Sequence, residues 1–346
     1  MVGYEKIEVR REGRSPSIIA IGDTLSRIDE FLPERRIIVI TDTNVYSLYK
    51  NIIDRWPGIV IGLGETNKTL ATVQSIYEEL VRLNADRECF ILGFGGGIVT
   101  DTAGFAASTY MRGIPFGFVA TTLLSQVDAS VGGKNGVNLQ GFKNMVGTFN
   151  QPDFVLCDTS VLATLPDREL RAGMAEIIKS GIIADPELFR TLEQSSTKDI
   201  YASPALLARI ISAAVKVKAR IVEADEKESG QRKKLNLGHT IAHAIEKCSR
   251  EFLHGEAVAI GLSMICRIAV SQNVLSPDTA RRIDSLLQKT GLPTACDIPL
   301  SDLASAVHQD KKSAGSHINI ILPYDIGDCR IVKTDFREAE NMILDL

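Results

Sequence analysis

Three of the chain's five histidines fall in one stretch, which reads Asn236-Leu-Gly-His239-Thr-Ile-Ala-His243 and closes with His254-Gly-Glu256. Neutral imidazole binds metals, and its proton moves near pH 7. His239 and His243 are four residues apart and so share a helix face. His254 lies far enough along for a turn and a second helix to bring it back. No Cys-x-x-Cys pair accompanies them, which argues against a closed structural zinc site. Two or three nitrogen donors, one carboxylate and an open position form the pattern of a catalytic cation.

Two other stretches suit anions. Gly93-Phe-Gly-Gly-Gly97-Ile-Val-Thr-Asp101 follows an aliphatic run and precedes a helix of small residues, Thr102 to Ser108. Its glycines admit a pyrophosphate and the helix start supplies amide donors, although the spacing is not G-x-G-x-x-G. Asp42, just after another aliphatic run, is the residue type that accepts hydrogen bonds from a ribose. Thr121-Thr122-Leu-Leu-Ser-Gln-Val-Asp128-Ala-Ser-Val-Gly-Gly133-Lys134, with Lys143-Asn144 beyond, sets an acid, two lysines and an asparagine around a flexible glycine turn. That grouping suits phosphate.

The elements that must position these groups divide at about residue 152. Before it, aliphatic runs at Ile37–Ile40, Gly58–Ile61 and Cys89–Leu92 read as buried parallel strands, and Leu70–Leu83 has a helical period. Glu5–Arg10 and Ser17–Ile21 read as a hairpin or two edge strands. Such alternation predicts a doubly wound α/β domain over 1–152. Over 153–346, helical periodicity covers Arg168–Ile183, Ala205–Glu223, Lys234–Lys247, Glu256–Ser271, Pro277–Thr290 and Leu300–Lys312. Ile318–Leu322 and Cys329–Val332 read as a late hairpin. At 346 residues two domains are the natural expectation.

The net charge of −4 gives no reason to expect nucleic acid or an anionic membrane as partner. Six scattered cysteines suit a reducing cytosol. No signal peptide is evident, and the apolar helix Ala257–Ile265, interrupted by Arg267, is too short to span a bilayer. The expectation is a cytoplasmic, soluble protein.

Seven segments together carry a resemblance: G-G-G-I-V-T-D, Y-M-R-G, T-T-L-L-S-Q-V-D-A-S-V-G-G-K, K-N-M-V-G, L-R-A-G-M-A-E-I-I-K, D-E-K-E-S-G-Q-R-K-K-L-N-L-G-H-T and H-G-E-A-V-A-I-G. In order and spacing the chain resembles the 3-dehydroquinate synthase family of sugar phosphate cyclases over nearly its whole length. The resemblance implies an α/β nucleotide-binding domain with a parallel sheet, an all-helical C-terminal metal- and substrate-binding domain, and substrate in the cleft. It implies NAD, one divalent metal (zinc or cobalt), a homodimer, and a phosphorylated sugar acid as substrate. The reaction implied takes 3-deoxy-D-arabino-heptulosonate 7-phosphate to 3-dehydroquinate and phosphate. Its steps are transient oxidation, β-elimination, reduction and aldol closure, a step of the shikimate pathway.

Carried over residue by residue, the metal ligands are Glu176, His239 and His254, with His243 a proton-handling neighbour instead of a ligand. Dinucleotide contacts fall on Asp42, Asn44, Glu65, Lys68, Gly96, Gly97, Ile98 and Asp101. Others fall on Thr121, Thr122, Leu124, Lys134, Lys143, Thr164, Leu165 and Glu169. Substrate contacts fall on Asp128, Lys134, Asn144, Lys179, Lys218, Arg232, Asn236, His243 and one of Lys311 and Lys312, and Arg112 is lent across the dimer. The chain departs from the family pattern at Thr100, Ala120, Asn135 and Ala242, without loss of a charge or ligand.

Three rivals are distinguishable. Cyclases making 2-deoxy-scyllo-inosose or an epi-valiolone act on substrates that lack the carboxylate that Lys218 and Arg232 would meet. A metal-dependent polyol dehydrogenase would consume NAD stoichiometrically. A non-catalytic nucleotide-binding regulator would bind NAD and turn nothing over.

Overall fold

The structure, a computed structural model, describes residues 3–11, 13–308 and 317–346. The chain divides into two compact units, 1–165 and 166–346.

In the first unit, β1 (Tyr4–Arg11) and β2 (Arg14–Gly22) form an antiparallel hairpin. There follow β3 (Arg36–Asp42), α1 (Thr43–Ile53), β4 (Gly58–Ile61), α2 (Leu70–Arg82), β5 (Cys89–Gly95), α3 (Gly97–Thr109) and β6 (Phe116–Ala120). A separate hairpin, β7 (Lys134–Leu139) with β8 (Phe142–Phe149), precedes β9 (Phe154–Asp158). The seven-stranded sheet runs β1-β2-β9-β6-β5-β3-β4, and every pairing except β1 with β2 is parallel. Its central strands β9, β6 and β5 are aliphatic and aromatic on both faces, as a sheet covered on both sides requires, whereas the edge strand β1 exposes Glu5, Lys6, Glu8 and Arg10. Val39, Phe90, Phe94, Phe154 and Leu156 form one buried cluster.

The division falls beyond the boundary read at 152 because β9 sits inside the sheet, between β2 and β6. After Thr122 the chain makes a single π-helical turn, Ser125–Ala129, and then the expected glycine turn, with Gly132 and Gly133 at φ 102 and 70, before it enters the β7–β8 hairpin. Asn135 is buried in that hairpin, where its amide donates to the carbonyls of Gly133 (3.0 Å) and Asn150 (2.7 Å).

The second unit contains α4 (Asp167–Ala184), α5 (Pro186–Gln194), α6 (Thr197–Ala202), α7 (Pro204–Ala224), α8 (His239–Cys248), α9 (His254–Ser271), α10 (Pro277–Lys289) and α11 (Leu300–His308). It is not all-helical: β10 (His317–Asp325) and β11 (Asp328–Asp335) pair antiparallel before a last helix, Phe336–Leu344. The helix expected over Lys234–Lys247 is broken. Gly238 takes φ 78, a left-handed conformation that glycine adopts without the steric cost of a Cβ. It separates a 3-10 turn, Gln231–Asn236, from α8.

Helix α9 runs straight through Arg267. At 18 residues it is, among the described residues, the one helix long and apolar enough to cross a membrane by length and composition, which corrects the shorter reading. It is 72% buried within the fold, so its apolar surface is that of a core helix.

Candidate functional site

Each unit holds its own group of candidate residues. In the first, all but Arg112, which follows α3 and precedes β6, gather at the carboxyl ends of the parallel strands. The chain leaves β3 through α1 toward β4 on one side, and leaves β5 through α3 toward β6 on the other. The crevice outside β3 and β5 is therefore a topological switch point, where open α/β sheets bind ligands. Asp42 ends β3 and caps α1, accepting from the amides of Asn44 and Val45 at 2.9 Å each. Gly96 is the N-cap of α3, with Gly97, Ile98 and Asp101 in the opening turns, and no side chain caps its first amides. A Cβ at Gly96 would press on the Thr122 methyl at 2.9 Å, so the glycine keeps this backbone accessible. Thr121, just past β6, donates its amide to the Gly95 carbonyl at 2.9 Å.

Lys68 binds this group together. Its ammonium donates to Asp101 Oδ2 and Asn144 Oδ1, both at 2.6 Å, and its side chain is 7% exposed. Glu65 accepts from Asn138 at 2.7 Å, and Asn138 in turn accepts the Asn144 amide at 2.9 Å. Thr164 meets the Tyr49 hydroxyl at 3.1 Å. Burial pushes the Asp101 carboxyl up, Lys68 pulls it down, and Asp128 and Glu65 push it up further; the net direction is up.

A carboxyl raised in the folded state holds its proton more tightly than when unfolded. Stability therefore falls as pH rises through the window from the unfolded value, about 3.9, to the raised one. Lys68→Met removes the downward pull and leaves Asp101 buried without that cation. The expected result is a loss of about 3–5 kcal/mol, with a steeper decline in stability on the alkaline side. Urea unfolding across a pH series measures both, and equal stability at every pH would refute the assignment.

In the second unit, three donor atoms converge. Glu176 comes from α4, His239 is the first residue of α8 and His254 the first of α9. One atom from each lies within 4.8 Å of the others. The His239 and His254 Nε2 atoms are 3.7 Å and 3.8 Å from Glu176 Oε1. That oxygen is fully buried and has no hydrogen-bond partner, an arrangement expensive enough to call for a missing one. Glu176 Oε2 is paired with Lys179 one turn along α4. The donor set, two imidazoles and a carboxylate converging on an orphaned oxygen, fits a divalent cation such as zinc.

Glycines make this convergence possible. A Cβ on Gly255 would overlap the Ala172 carbonyl oxygen of α4, and one on Gly261 would overlap the Gly238 carbonyl oxygen. Helix α9 therefore touches the backbone before α8 and that of α4. Arg168 fastens the same junction: its Nε and Nη2 reach the two Glu256 oxygens at 2.7 and 2.6 Å.

His243 shares the α8 face with His239, their rings 5.6 Å apart and edge-on, but is exposed and outside the donor cluster. Lys218 on α7 and Arg232 in the 3-10 turn are buried cations, 8% and 2% exposed. The loop before Arg232 is tied by Asp225, which accepts from the amides of Ser229, Gly230 and Arg232. Burial raises that carboxyl, but those donors prevail and bring it to about 2. Asn236 donates to Glu228 at 2.7 Å, a partner the sequence reading missed. Glu169 opens α4 and is raised by burial. Arg112 lies exposed in the first unit, while Lys311 and Lys312 fall outside the described residues.

Comparison with known proteins now places the chain. A family model described as 3-dehydroquinate synthase N-terminal matches residues 58–172, and one described as 3-dehydroquinate synthase C-terminal matches residues 173–313. The chain belongs to the 3-dehydroquinate synthase family. A 3-dehydroquinate synthase of Pelobacter propionicus is 42% identical over 335 residues, covering 92% of this chain and 93% of that one. One of Desulforamulus reducens is 39% identical over 350 residues, covering 96% and 97%.

Solved structures agree with this membership. A 2-deoxy-scyllo-inosose synthase complexed with carbaglucose-6-phosphate, NAD+ and Co2+ superposes with a TM-score of 0.86 at 26% identity, over 99% of both chains. A 2-epi-5-epi-valiolone synthase from Streptomyces hygroscopicus with NAD+ and Zn2+ gives 0.85 at 25%, again over 99% of both. A probable glycerol dehydrogenase from Sinorhizobium meliloti, with a TM-score of 0.65 at 15% identity over 94% of both chains, shares the fold alone.

Proposed function

We propose that this protein is a 3-dehydroquinate synthase, a phosphate-eliminating lyase that uses NAD and one divalent cation, zinc or cobalt. It converts 3-deoxy-D-arabino-heptulosonate 7-phosphate to 3-dehydroquinate and phosphate. The observation that carries the reading is the convergence of Glu176, His239 and His254 on a buried, unpartnered carboxylate oxygen. Identity near 40% to dehydroquinate synthases, against 25–26% to the other two cyclases, supports this substrate over theirs. Two buried cations, Lys218 and Arg232, suit the carboxylate that distinguishes it.

When bound, NAD supplies a hydride acceptor that is regenerated within each turnover, and the cation supplies Lewis-acid polarisation of a hydroxyl. The chain's own residues do the rest. Asp42, Glu65, Lys68, Gly96, Gly97, Asp101 and Lys143 seat the dinucleotide. Lys218 and Arg232 hold the carboxylate, Lys134, Asn144 and Asn236 orient the phosphate, and Lys179 contacts the sugar acid. Asp128 and His243 accept and return protons at the substrate hydroxyls.

We further propose a cytoplasmic homodimer. The six free thiols suit a reducing compartment. Met111 and Arg112 hold φ 49 and 68, an unfavourable backbone that leaves Arg112 exposed. That geometry supports its role as the arginine lent to the partner's substrate phosphate.

The test is phosphate release from the heptulosonate with NAD far below substrate. Many phosphates per NAD without accumulating NADH, and 3-dehydroquinate as product, are expected. Stoichiometric NADH would instead identify a polyol dehydrogenase. In the same assay, mixing Arg112→Ala chains with His239→Ala chains is expected to recover activity; no recovery places Arg112 at its own chain's site.

A further inference from the structure

The two histidines of the cation cluster are not held alike. His239 Nδ1 faces a neutral backbone carbonyl, that of Leu237, at 3.2 Å. His254 Nδ1 faces a carboxylate, Glu246 Oε1, at 3.0 Å, and the Glu246 side chain is only 6% exposed. Glu246 lies on α8, seven residues after His239 and three after His243. At the helical period all three fall on one face, so α8 presents a donor, a neighbouring imidazole and an acid in a single row. His254, from α9, meets that row at its far end. Its ring lies edge-on to His239 with centroids 5.4 Å apart.

We infer that Glu246 is a positioning residue for the cation, acting through His254. With Nε2 turned toward Glu176, Nδ1 carries the ring proton and donates it to Glu246. That bond selects the tautomer whose Nε2 lone pair faces the cluster and fixes the rotation of the ring. A charged acceptor also makes the ring a stronger donor than a carbonyl would. The charge matters here because Glu176 is already paired with Lys179. Glu246 is the second carboxylate at a cluster meant for a dication, and it acts without being a ligand. Its sequence signal is the i+7 spacing from His239, with His243 between them on the same helix face.

This inference rests on the assignment of Glu176, His239 and His254 as the cation site. The experiment titrates metal-free full-length protein with Zn2+ against a chromophoric chelator, and records the visible spectrum of the Co2+-loaded form. Wild type, Glu246→Gln and Glu246→Ala are compared, with NAD affinity and thermal unfolding of the metal-free protein as controls. Glu246→Ala is expected to weaken Zn2+ binding roughly 10–100-fold and to shift the Co2+ bands. Glu246→Gln, which keeps an acceptor but not the charge, loses less. NAD affinity and metal-free unfolding stay unchanged.

Zn2+ affinity within twofold of wild type in both variants overturns the inference. So does a Glu246→Ala loss accompanied by collapse of the metal-free protein while Glu246→Gln binds normally, since that is a packing role. If wild type itself takes up no cation, the cation-site assignment fails instead, so the two failures are distinct.

Discussion

His239→Ala is expected to lose its cation and its turnover together, while His243→Ala keeps the cation and loses turnover alone. His239 is buried and its Nε2 reaches to 3.7 Å from Glu176 Oε1. Removing it leaves one imidazole and one carboxylate, below the three protein ligands that catalytic zinc sites use. Affinity is expected to fall by more than the roughly 100-fold that loss of an outer partner costs. His243, exposed on the same face, holds no place in the donor cluster. As a proton-handling group its loss costs about 10²–10⁴ in rate. Metal content after gel filtration, read beside phosphate release, separates the two. If His243→Ala is the variant that comes off the column empty, the roles are reversed. A chelator is likewise expected to abolish activity, and Zn2+ or Co2+ to restore it.

The second large effect is expected at a residue with no functional group. Gly255 follows His254 and lies against the Ala172 carbonyl of α4, one turn before Glu176. A methyl group there meets helix backbone, which cannot rotate away as a side chain can. Gly255→Ala is expected to cost about 1–3 kcal/mol or more, as overpacking does. It is also expected to move His254 off its 3.8 Å approach to Glu176. The melting temperature and Zn2+ affinity should fall together. Gly58→Ala, where a Cβ meets only Ile53 at 4.0 Å, is the control and should change neither. A Gly255→Ala protein that melts and binds Zn2+ like wild type would show that this close approach does not set the site.

The parts of the fold visible in the sequence were those with a strong period. Aliphatic runs such as Ile37–Ile40 became buried strands, and Leu70–Leu83 became α2, because burial on fixed faces leaves a pattern. The donor residues were visible through their chemistry and the family resemblance, but spacing alone favoured His243 over His254. Long-range and backbone effects were hidden. The β7–β8 hairpin has Leu139, Phe142, Met145 and Phe149 exposed, so it lacks the inward apolar alternation of a half-buried sheet. The break at Gly238 depends on a dihedral, and the value of Gly255 depends on what lies opposite it. Glu246 looked like any helix-surface acid until His254 returned to it.

The place of β9 in the sheet bears on how the protein is made. Strand β2 ends at Gly22, yet its neighbour β9 begins only at Phe154. A chain emerging from the ribosome therefore carries the hairpin and the β3–β6 strands as two unjoined pieces until the later segment is synthesised. Pairings so distant along the chain close slowly. During that interval the exposed edges of β2 and β6 are open to pairing with other nascent chains.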